Sequence, residues 1–169
     1  MKKFIVFIAL LCAGTALFLY FYSGMKQDVP AEKARAGKTA ADMTLGMKDS
    51  AVYGIKNFFG RSVVILAFTD NSSASRTFME QAEKNKKYFT RKKDLVWFNI
   101  KKDGTHALIE EFAGNTGLRY RALYSSLPEF YSFTELPSVV IIDKYGIIKN
   151  SYTGYSPTII TDIKNALGG

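Results

Sequence analysis

Ser72, Ser73 and Ser75, with Ala74 among them, stand between an apolar run and the start of a helical pattern, where side-chain chemistry is best placed in this chain. The run 63–68 has the length and β-branched content of a strand buried on both faces, and from Arg76 apolar residues recur at helical spacing. The turn 69–75 is therefore expected to end at a helix N-terminus, where backbone N–H groups lack intrahelical acceptors and the dipole favours negative charge. Serines at such a turn, which is expected to be exposed, cap N–H groups or hold a peptide carbonyl or an anion. Cysteines at 72 and 75 would instead make a redox pair, the helix terminus acidifying the leading thiol. A serine hydroxyl stays protonated at neutral pH and forms no exchangeable link. Hydrolysis through Ser72 or Ser75 would need a base, but His106 is the chain's single histidine and is expected on the surface at the start of another helix. No Gly-x-Ser-x-Gly elbow accompanies the serines.

The elements that must position these residues come from a chain of 169 residues, long enough for one domain and an appendage. Hydrophobic content of 47%, with 13 Phe and 10 Tyr, supplies a substantial core. One cysteine, Cys12, lies in the first apolar run, so nothing after it can form a disulfide or ligate through sulfur. No acidic or cysteine cluster has metal-ligand spacing, and neither a metal nor a cofactor is expected. The formal charge of +8 permits attraction to nucleic acid or anionic lipid, but no nucleic-acid motif accompanies it. Lys84, Lys86, Lys87, Arg91, Lys92 and Lys93 read as a solvated helix face with a dipole-compensating end, the competing reading being contact with anionic headgroups.

Residues 4–22 carry no charge and as a helix would span about 28 Å, close to the hydrocarbon thickness of a bilayer. They read as an uncleaved anchor within a first segment 1–24, since no small-x-small cleavage site follows and bulky Leu11 precedes Cys12. Basic residues flank both ends, so charge alone does not orient the span. Residues 25–39 read as a linker and 40–169 as the globular domain. Within it, 42–45 and 51–53 are expected as short strands about a turn at 46–49, then come the strand 63–68 and one helix carrying Phe78, Ala82 and Phe89. A strand at 95–100 and a helix at 105–113 follow. A Tyr-rich stretch at 118–133 is read as packing. Leu136-Pro137 leads directly into an apolar strand, an Asp143-x-x-Gly146 hairpin turn, a second strand, and a helix at 157–167. Buried strands alternating with helices predict an α/β sheet covered on both faces.

In that order the chain resembles the membrane-anchored thioredoxin-like proteins of the TlpA and ResA type, in the redoxin group, from about residue 37 to 167. Asp42-Met43-Thr44-Leu45 through Phe58-Phe59-Gly60-Arg61-Ser62-Val63-Val64 is similar to the family's opening hairpin and the approach to its active-site strand. Leu136-Pro137-Ser138 resembles its cis-proline loop, and Asp143-Lys144-Tyr145-Gly146 its hairpin turn. Ser72 and Ser75 stand where the family carries its redox cysteines. The lead-in from Phe68 is one residue shorter and lacks the usual tryptophan, and Phe78 replaces a common acidic residue.

The resemblance implies a thioredoxin-like fold with a central mixed β-sheet flanked by helices, a cis Leu136–Pro137 bond, and a domain outside the cytoplasm, tethered to a bacterial-type inner membrane through residues 4–22. It also implies a peptide-recognition surface made by Ser72, Ser73, Ala74, Ser75, Leu136 and Pro137, serving an extracytoplasmic protein or peptide in envelope protein maturation. The competing implication is the family's thiol-disulfide oxidoreductase activity, as in cytochrome c maturation, for which this chain lacks the cysteines. A purely structural membrane protein is the remaining alternative.

Overall fold

The computed structural model describes residues 34–48 and 51–168. The expected span at 4–22 lies outside them.

A six-stranded sheet organises the domain in the order β6-β5-β4-β3-β7-β8. Its strands are β3 (Val63–Thr69), β4 (Leu95–Asp103), β5 (His106–Ala113), β6 (Arg119–Leu123), β7 (Ser138–Ile142) and β8 (Ile148–Thr153). Only β3 and β4 run parallel; the other neighbours are antiparallel. The apolar runs in β3 and β7 are buried almost throughout, as central strands covered on both faces require. A separate hairpin pairs β1 (Thr44–Lys48) with β2 (Ala51–Gly54). Gly46, Met47 and Lys48, expected in the turn, continue β1 instead, pairing with Tyr53, Val52 and Ala51.

The two faces are closed differently. On one, Ile65, Ala67, Trp97, Val139 and Ile141 meet the helices α1 (Ser73–Lys84), α2 (Lys86–Thr90) and α3 (Ile159–Ala166) through Phe78, Ala82, Phe89, Ile159, Ile160 and Ile163. On the other, Val64, Leu66, Phe68, Phe98 and Val140 are covered by Met43, Leu45, Ile55, Tyr131 and neighbouring aromatic residues. The mixed sheet is thus flanked by helices as expected, but all the described α-helices lie on one face. The N-terminal hairpin and 3-10 turns cover the other.

The expected helix at 105–113 is strand β5, and His106 begins that strand rather than a helix. Ala, Leu and Glu favour a helix locally, yet β5 fills the gap between β4 and β6 and buries Ala107 and Ile109 at period two. Strand pairing on both sides outweighs a propensity worth tenths of a kcal/mol per residue. Gly104, at φ 57°, makes the tight return from Asp103 to His106. The single helix expected after the serines is two, because Asn85 leaves helical geometry at φ −103° and ψ 4°. Its Nδ2 donates to the Gln81 carbonyl, while its Oδ1 accepts from Lys164 Nζ at 2.6 Å and ties the break to α3.

The Asp143-x-x-Gly146 turn forms as expected: Asp143 Oδ1 accepts from the backbone of Tyr145 and Ile147, and Gly146 has φ 82°. The end of the expected linker is already packed on the domain. Ala34 is buried and donates to the Phe130 carbonyl, and Thr39 bridges to Ile147.

Candidate functional site

Strand β3 delivers the serine turn to one end of the sheet. Its antiparallel register with β7 sets Phe68 opposite Ser138, so the turn that leaves β3 and the Leu136–Pro137 segment that enters β7 lie at the same sheet end. The Leu136–Pro137 bond is cis, as expected. Pro137 is buried and Leu136 half-buried against the core that Phe68 shares with Tyr131 and Phe133. Ser138 Oγ donates to the Glu135 carbonyl at 2.6 Å, bracing the loop around the proline.

Helix α1 begins earlier than the apolar periodicity indicated, at Ser73, with Ser72 as its N-cap. Ser72 Oγ accepts from the Ser75 N–H at 3.2 Å, the capping role open to a serine there. Ser73 is exposed and Ala74 half-buried, but Ser75 is 1% exposed, which corrects the expectation of a wholly exposed turn. Its third position in the helix turns its side chain back under the cap.

Asp70, not anticipated among the site residues, explains where the hydroxyl protons go. Ser72 Oγ donates to Asp70 Oδ1 at 2.5 Å and Ser75 Oγ donates to the same oxygen at 2.6 Å. The Ser72 N–H adds a third donor at 3.0 Å, and the Asp70 N–H donates to Ser75 Oγ at 3.2 Å. Each serine hydroxyl therefore both donates and accepts. The two positions are linked through one carboxylate oxygen. The donations from Ser72 and then Ser75 hold the Asp70 carboxyl below its ordinary range, outweighing the opposing effect of burial. The helix N-terminus favours the same negative charge. The aspartate two residues before an N-cap serine was the available signal, since Asx side chains bond backbone two residues on.

Around this turn, Thr69 Oγ1 donates to Asn99 Oδ1 at 2.9 Å, fixing the end of β3 to β4. Burial, and secondarily the Asp70 charge, push the Tyr124 phenol up, while Lys102 Nζ sits 4.6 Å from its ring centroid. Tyr124, read from sequence as packing alone, thus also borders the site. His106 shares a 3.1 Å hydrogen bond with Thr105 through Nδ1 and lies on β5, separated from β3 by β4. Among the described residues, no three His, Cys, Asp or Glu side chains converge as a metal site would require. A carboxylate that already accepts both serine hydroxyls through short hydrogen bonds, with no histidine to relay a proton, fixes the shape of the turn rather than activating a nucleophile.

No protein-family model matches the chain, and no curated relative matches it. Solved structures do. The Chlorobium tepidum protein assigned as the thiol:disulfide interchange protein DsbE superposes with a TM-score of 0.56 at 16% identity, over 78% of this chain and 94% of that one. The thioredoxin domain of a Bacteroides vulgatus thiol-disulfide oxidoreductase gives 0.55 at 14% identity, over 77% and 96%. A reduced 2-Cys peroxiredoxin from Plasmodium vivax gives 0.51 at 16%, over 79% and 96%. At these identities the likeness concerns the fold, and together with the mixed sheet and the cis-proline beside the first helix it establishes that this chain has a thioredoxin-like fold.

Proposed function

We infer that this protein is a membrane-anchored, redox-inactive binding module that keeps a thioredoxin-like recognition surface without thiol chemistry. The observation that carries the reading is the Asp70–Ser72–Ser75 cluster. Two hydroxyls bound to one carboxylate oxygen hold together positions that a disulfide would link in a redox protein. Ser73 remains exposed beside them, and Leu136 is half-buried at the same sheet end, leaving a surface for an extended peptide to lie along. The anchor at residues 4–22, an extracytoplasmic location and a role in envelope protein maturation belong to this proposal, supported by the apolar length of that segment and by the family resemblance.

The competing reading, thiol-disulfide exchange like that of the solved relatives, is favoured by the fold alone. It needs a thiolate at the turn, and the chain has no cysteine after position 12.

The reading is tested with the full chain in uncharged detergent and a permanently unfolded probe, reduced and carboxamidomethylated ribonuclease A. That polypeptide is basic like the protein, so net charge does not drive association. Saturable binding is expected, and Ser73→Trp should weaken it about tenfold, as loss of a central interface contact does, without moving the unfolding midpoint. Binding indifferent to both Ser73→Trp and Leu136→Ala contradicts the groove.

A further inference from the structure

At the opposite end of β3 a cavity of about 460 Å³ opens between the starts of β3 and β4 and the loop after β5. Seven residues of strand separate it from the serine turn, about 20 Å at the rise of a β-strand. Arg61, Ser62, Lys92, Lys93 and Asn115 line it with the rings of Tyr53 and Phe58, and no carboxylate is among its lining residues. Its size is that of a small-molecule site.

The charges at this cavity are unspent. Among the described residues, the Arg61 and Lys93 side chains make no ion pair or hydrogen bond, and neither does the Ser62 hydroxyl or the Asn115 amide group. Lys92 contributes its stem, because its ammonium donates to the Leu167 carbonyl and lies over Tyr88. Glu111 accepts from the Thr116 N–H, the Thr116 hydroxyl and the Gly117 N–H and so shapes the rim loop, while Asp94, next to Lys93, is exposed and is not among the lining residues. Lys87 and Arg91, both exposed on and just after α2, add to the positive field.

We propose that this cavity binds a phosphate-bearing organic ligand. Arg61 and Lys93 hold the phosphoryl oxygens, and the apolar part of the ligand rests on Tyr53 and Phe58. A guanidinium offers a planar pair of donors matched to phosphate oxygens, and an ammonium adds a second, compact charge. The aromatic wall gives a purely inorganic anion no further contact, which selects an ester. The ester's source is either a soluble phosphate compound or the headgroup of an anionic phospholipid. The site is independent of the serine turn, so its failure leaves the recognition surface untouched.

The test uses the full chain in uncharged detergent, titrated calorimetrically with phenyl phosphate in one arm and with short-chain phosphatidylglycerol in the other. Saturable binding is expected in at least one arm, weakened about tenfold by Arg61→Glu or Lys93→Glu through loss of a charge-assisted contact. The same charge change at the half-buried Lys101 toward the far end of β4, Lys101→Glu, should alter it less than about twofold, since a charge about two Debye lengths away is screened. Phenyl phosphate binding alone assigns a soluble ester, and phosphatidylglycerol binding alone assigns a lipid headgroup. Should Arg61→Glu perturb folding, as its unfolding midpoint would show, Arg61→Gln carries the same comparison. No binding in either arm at millimolar ligand, or equal weakening by Lys101→Glu, overturns the proposal.

Discussion

Asp70 Oδ1 collects three donors from two serines within five residues of chain, and this concentration of hydrogen bonds on one oxygen has a pH signature. Its carboxyl is held below the usual 3.8, first by Ser72 and next by Ser75. Because the folded-state pKa is depressed, the ionised form stabilises the fold. That contribution is complete above the unfolded value and is lost as pH falls through the folded one. Asp70→Asn keeps the shape and removes the charge, so at pH 7 it should destabilise the domain by about 1 kcal/mol, the difference between charged and neutral hydrogen bonds for a carboxylate that solvent partly screens. The gap between variant and wild type in denaturant midpoint should hold down to about pH 4 and close below it. A gap that stays constant to pH 2 would show that the carboxylate charge does no work in this turn.

At the scale of elements, the hairpin between β7 and β8 is fixed from both sides. Gly146 has φ 82°, and a Cβ built there would come within 2.5 Å of the Phe59 ring. Gly146→Ala therefore combines an unfavourable left-handed backbone with overlap against a half-buried aromatic ring, and should cost at least about 1–3 kcal/mol. Thermal unfolding checks this, and an unchanged midpoint would show that Phe59 moves aside freely. The same hairpin was legible in the sequence, because Asp143-x-x-Gly146 between two apolar runs encodes its turn chemistry locally. The buried strand 63–68 and the Pro137 loop were legible for the same reason. β5 was not: its Ala, Leu and Glu residues carry helical preference, and only pairing with β4 and β6 makes them a strand. The placement of Ser72, Ser73, Ala74 and Ser75 at a helix start could be read from the pattern switch at Arg76. The burial of Ser75 and its tie to Asp70 could not, because they depend on how the first helical turn folds back under its own cap.

At the scale of the whole molecule, the sheet keeps the two ends of β3 apart. One end carries an anionic, hydrogen-bonded turn at the sheet end that also holds a cis-proline, and the other carries the unpaired Arg61 and Lys93 side chains around a cavity. The fold is one that disulfide-exchanging proteins also have, and in the proposed reading the hydroxyls of Ser72 and Ser75, hydrogen-bonded to Asp70, stand where such proteins need sulfur. The central claim, recognition without redox chemistry, is most directly met by an insulin disulfide-reduction assay with dithiothreitol as electron donor. It compares the wild-type full chain with the triple variant Ser72→Cys/Ser75→Cys/Asp70→Ala, which restores the thiols and removes the carboxylate that would raise a neighbouring thiol pKa. Wild type should run at the dithiothreitol background, while the triple variant should exceed it about tenfold or more, since a helix-terminal thiol outcompetes the free dithiol through its larger thiolate fraction. Turnover by the wild type above that background would contradict the account.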